Sequence, residues 1–161
     1  MVLGMSLPTF TFLHVLMSLI GIVAGFVMVI GLIGGKLFPR WTGIFFIATA
    51  LTILSGFLFP YKGFTPAIGV GVLSLLVLLL AIIARYVRHL AGAWRSTYVI
   101  TAILALYFNF FVLIVQSFEK IPALKALAPT QSEPPFKLAQ LATLVLFVVL
   151  TTVAYRRFRA A

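Results

Sequence analysis

Apolar residues run almost unbroken through 10–35, 41–59, 67–87, 96–118 and 137–158, and the polar positions gather between these stretches. Each run is near the roughly 20 helical residues that span about 30 Å of hydrocarbon, so the pattern predicts five transmembrane helices. Gly34, Gly35 and Pro39 close the first run, and Pro60, Gly63 and Pro66 part the second from the third. Arg85, Arg88, His89, Gly92 and Arg95 mark the third junction. The fourth connection, 119–136, is the longest, and Pro122, Pro129, Pro134 and Pro135 predict an extended outer loop that resists helix formation. Within it, 121–127 alone reads as a short amphipathic segment.

Composition turns this pattern into a class. With 63% hydrophobic and 9% charged residues in 161, and a mean hydropathy of +1.24, the chain is too apolar for one soluble core. The expectation is a single all-α integral membrane domain over 1–161. The first apolar run exceeds a signal-peptide core and follows a leader without basic residues, so it is expected to remain as a helix. The lack of cysteine excludes disulfides, thiolate metal sites and cysteine nucleophiles.

Charge then orients the helices. With the N-terminus outside and the C-terminus cytoplasmic, the inner side holds Lys36, Arg40, Arg85, Arg88, Arg95, Arg156, Arg157 and Arg159, leaving Lys62, Lys120, Lys125 and Lys137 outside. Both acidic residues, Glu119 and Glu133, also fall outside. The net charge of +10 is thus a topology signal, and the basic residues form no single patch with interleaved aromatics for nucleic acid. Trp41 and Trp94 anchor the inner interface. The organisation resembles that of small bacterial inner-membrane proteins, which implies a multi-pass plasma-membrane location.

Helical spacing selects the inward faces. His14, Ser18, Gly21 and Gly25 form one seam on the first helix, with Gly21 and Gly25 a G-x-x-x-G pair for close approach. Ala48, Thr52 and Ser55 line the second helix, and Gly71, Ser74 and Ala81 the third. On the fourth, Ala102, Ala105, Asn109, Val112, Gln116 and Glu119 predict a stripe that becomes polar toward the outer surface. Gln140, Thr143, Phe147, Thr151 and Ala154 continue the pattern on the fifth.

Depth and face together suggest a site. His14, Gln116 and Gln140 fall at similar depths near the outer boundary, with Tyr61 and Glu119 at the rim and Asn109 deeper. The expectation is an outward-facing polar pocket that takes a small ligand or a partner subunit, His14 offering one ring nitrogen. Packing explains the same residues, because polar side chains in membranes commonly join helices.

Two carboxylates outside the spans, no serine elbow, no phosphate loop and no metal-ligand cluster argue against an enzyme. The alternative is a proton-coupled or solute transporter using His14 and Asn109. An offset of 55 that matches Arg40 with Arg95, Thr42 with Thr97, Ala50 with Ala105 and Leu51 with Leu106 hints at paired hairpins for such a role. A third reading is a redox accessory binding haem or quinone, the latter cradled by Tyr107, Phe108, Phe110 and Phe111. No cofactor is specified by the residues. Expected partners are the lipid bilayer and a homo-oligomer or larger membrane complex.

Overall fold

The computed structural model describes residues 1–159, and every regular element among them is a helix apart from an isolated bridge between Val2 and Met5. In chain order the helices are α1 (Leu7–Ile33), α2 (Pro39–Gly56), α3 (Pro66–Ile82, prolonged by a π-helical turn Ile83–Val87), α4 (Ala93–Lys120), α5 (Pro122–Leu127) and α6 (Pro134–Arg157). Local chemistry sets the starts. Ser6 and Thr65 cap α1 and α3 by accepting from the Thr9 and Ile68 amides at 3.3 and 3.4 Å. At the other end of α1, Gly35 turns the chain with a φ of +71° that favours glycine.

The prolines act as starts, which corrects the expected extended loop at 119–136. Helix α4 continues through Glu119 and Lys120, Pro122 opens α5, and Pro134 opens α6. A proline in the first turn forfeits no intrahelical hydrogen bond and its fixed φ suits the helix. Ile121 and residues 128–133 are the part of the connection left non-helical.

Among the described residues, four helical segments are long and apolar enough to cross a membrane: Leu7–Ile33, Pro66–Val87, Ala93–Lys120 and Pro134–Arg157. Helix α2 is shorter, at 18 residues, and begins with Pro39 and Arg40. It nevertheless lies along α1 as an antiparallel partner. From the turn outward, Gly31 faces Phe38, Gly25 faces Phe45, Gly21 faces Ala48 and Thr49, His14 faces Ser55, and Phe10 faces Phe59. Each step back along α1 is matched by a step forward along α2.

The glycine seam has the expected function. A Cβ at Gly25 would stand 2.6 Å from Leu106 Cδ1 and 3.0 Å from Phe45 Cδ2, so both neighbouring helices approach the α1 backbone there. Helix α4 occupies the middle of the bundle, packing against α1, α3 and α6. Its Tyr98, Val99, Ala102, Ile103, Ala105 and Leu106 are enclosed with Phe45, Met28, Leu32, Leu78 and Phe147. Beyond Asn109 the predicted α4 stripe turns outward: Val112, Gln116 and Glu119 are exposed, while Phe118 is buried. The stripe assumed one inward face from Ala102 to Glu119, but at the end of α4 the segment that follows folds back and covers Phe118 instead, with Gln131 bonded to the Val115 carbonyl.

Candidate functional site

Most hydroxyls within the helices are satisfied locally. Thr11, Thr52, Thr101, Thr143 and Thr151 each donate to the carbonyl four residues earlier, at 2.6 to 2.8 Å. Such back-bonding removes the cost of a hydroxyl in hydrocarbon without any ligand. What remains is a short set of inter-element polar contacts.

His14 Nδ1 lies 2.7 Å from Ser55 Oγ, and its ring meets Phe59 edge-on with centroids 5.1 Å apart. Ser55 also donates to the Thr52 carbonyl at 3.1 Å. A serine has one hydroxyl proton, so with that proton on Thr52 the histidine donates through Nδ1 and Nε2 keeps its lone pair. Lys120 at the end of α4 is within Coulombic reach of the ring. The His14 pair ties α1 to α2 near the end of the hairpin.

Asn109 donates to Thr49 Oγ1 at 3.4 Å, directly beside Gly21. Three helices meet there, and a Cβ at Gly21 would stand 3.3 Å from Thr49 Oγ1 and 3.5 Å from Asn109 Nδ2. Gln140 donates to the Phe111 carbonyl at 3.3 Å, while its own carbonyl oxygen is enclosed without a partner. Gln116 donates to Glu119 at 3.4 Å on the exposed outer face of α4. Tyr61 is exposed in the α2–α3 connection. The structure thus joins Gln116 to Glu119, and gives His14, Asn109 and Gln140 three separate partners.

The concave feature near this end lies beside Glu119. A recess of about 260 Å³ is lined by Phe118, Glu119, Lys125, Pro129, Thr130 and Gln131. It forms because the 121–133 segment folds back over α4: Gln131 donates to the Val115 carbonyl at 2.9 Å, Ala128 is fully buried, and Phe118 meets Phe136 edge-on at 5.4 Å. Glu133 stabilises the turn rather than capping α6. It accepts from the Thr130 hydroxyl at 2.8 Å and from the Thr130 and Ser132 amides, which holds its carboxyl below the ordinary range.

The opposite end contains groups that spacing alone did not connect. Arg85, on the π-helical turn, stacks over Tyr86 and Tyr98 at 5.5 and 5.8 Å to the ring centroids. The Tyr98 and Thr42 hydroxyls are both fully enclosed and have no hydrogen-bond partner among the described residues. Arg95 donates to the Tyr155 and Phe158 carbonyls at the end of α6. The signal for that cap was an arginine at the start of one long helix and a three-arginine tail after another. His89 is in the tight α3–α4 turn at this same end, far from His14. Among the described residues, no three His, Cys, Asp or Glu side chains gather as a metal site.

The His14 pair has a measurable size. In a double-mutant cycle of His14→Ala and Ser55→Ala, the expected coupling is about 0.6 kcal/mol, the usual value for a hydrogen bond between membrane helices. A coupling above about 2 kcal/mol in reversible unfolding would show that more than this one bond is lost. Compared with protein-family models, with curated proteins and with solved structures, the chain finds no match in any of the three.

Proposed function

We propose that this chain is a non-enzymatic, five-span membrane subunit of a plasma membrane of bacterial inner-membrane type, with its N-terminus outside and C-terminus inside. It takes a small polar ligand or a partner subunit at the outer recess. The carrying observation is that recess: an acid and a base, Glu119 and Lys125, beside the apolar Phe118, under a segment pinned by Gln131 and Ala128. Its volume of about 260 Å³ falls just below the range for drug-sized ligands, so the occupant is small or is one side chain of a partner.

Two observations support a fifth crossing by α2. Its 18 residues extend about 27 Å at 1.5 Å each, and it pairs with α1 from Phe38 to Phe59. The carrier alternative draws less support, because Asn109 is bonded to Thr49 rather than open to a path. For the haem alternative His14 offers only Nε2, because Nδ1 is bonded to Ser55, and His89 lies at the other end of the bundle.

Orientation and recess are tested separately. In this cysteine-free chain, Ser132→Cys should react with an impermeant thiol reagent applied outside, and Arg157→Cys should not; the reverse pattern rejects the orientation. Native mass spectrometry of the purified protein should then show a small molecule or subunit that the Glu119→Gln/Lys125→Gln variant loses and His14→Ala retains. Equal retention by both variants rejects the recess.

A further inference from the structure

The C-terminal end of α6 holds an open recess of about 580 Å³ lined by Arg95, Tyr155, Arg156 and Arg159. Three guanidinium groups on one small surface repel one another, and both carboxylate side chains of the chain, Glu119 and Glu133, belong to the other end of the bundle. One of the three is fixed in place. Arg95 donates to the Tyr155 and Phe158 carbonyls and to Ser96 Oγ, and its guanidinium lies 5.6 Å from the Tyr155 ring centroid. The helix end, whose carbonyls carry partial negative charge, thus orients Arg95 at the edge of the recess. Arg156 and Arg159 are exposed and add their charge from the C-terminal side.

We infer that this recess binds the phosphate group of an anionic phospholipid. An arginine fork matches phosphate oxygens bidentately, and several together answer the charge that no carboxylate side chain answers here. Depth favours lipid over a soluble ion. Helix α6 carries no charged side chain between Lys137 and Arg156, so its basic end and the exposed Tyr155 stand where phospholipid headgroups begin. Lipid binding there requires only that α6 crosses a membrane, whichever leaflet receives that end.

The test titrates the detergent-solubilised full chain with dioleoyl phosphatidylglycerol, with dioleoyl phosphatidylcholine as the neutral control, following binding by native mass spectrometry. Arg156→Gln/Arg159→Gln should weaken phosphatidylglycerol binding about thirtyfold, from the contribution of two basic residues at a lipid surface. Lys36→Gln/Arg40→Gln removes the same charge from another part of that end and should weaken it by less than about threefold. Both pairs are exposed, and unchanged melting temperatures verify folding. Equal loss in the two variants, or no loss in the first, overturns the site in favour of diffuse surface charge. Inorganic phosphate that binds wild type as tightly as the lipid does overturns the lipid assignment.

Discussion

Phe45→Ala is expected to cost about 3–5 kcal/mol, the range for truncating a fully enclosed aromatic, and to give the largest stability loss of any single truncation in the α1–α2 hairpin. Phe45 has no exposed surface and lies against Gly25, where α1 has no side chain of its own. Leu106 of α4 reaches that same point from the other side. Removing the ring leaves a void bounded by two helix backbones already at close approach, which cannot collapse further, and lipid cannot enter because Phe46, Tyr98 and Leu106 seal the surroundings. Reversible unfolding in mixed micelles measures the cost. A loss near 1 kcal/mol would mean that the hairpin closes around the gap and that the packing at Gly25 is looser than its distances imply.

Arg95→Gln is the second large effect, expected at about 2 kcal/mol, because it removes charge-assisted bonds to two carbonyls that end α6. The loss should spread locally. Phe158, almost fully buried against Tyr98 with centroids 6.3 Å apart, is held in the bundle by the same bonds that occupy its carbonyl. Hydrogen exchange should therefore accelerate over the last turn of α6 and leave α1 and α2 unchanged. Arg95→Lys keeps the charge but offers no fork, so it should recover less than half of the loss. Full recovery by lysine would show that charge alone, rather than the paired bonds, holds the end of α6.

These residues also show how much of the fold is legible in the sequence. The helices can be placed because hydrocarbon thickness dictates run length, and the Gly21 and Gly25 seam because close approach needs small residues at spacing four. The helix start at Pro134 instead reads as extended chain, although the short helix after Pro122 is legible as an amphipathic segment over 121–127. The same residue opens a helix or prevents one depending on whether its missing amide would have had a partner, and that is decided by the residues C-terminal to it. The site suffers from a different gap. Depth and face can be read along one helix, but which neighbour a side chain meets depends on the pairing of helices. His14 goes to Ser55 and Asn109 to Thr49 because α1 and α2 form a continuous antiparallel pair. The last turns of α4 put Phe118 inward instead, because the segment after α4 folds back over them.

The α1–α2 pairing has a consequence for biogenesis. A nascent helix partitions into lipid according to its own residues, and α2 brings Arg40, Thr42, Thr49 and Thr52, unlike its strongly apolar neighbour. The earlier helix answers Ser55 with the imidazole of His14 and leaves room at Gly21 for Thr49, which Asn109 of α4 later bonds. On the five-span reading proposed above, helix α1 serves as a template that emerges first from the ribosome and lowers the threshold for the segment behind it. The central helix α4, synthesised later, then closes on a surface already assembled, with Asn109 reading the junction of the first two.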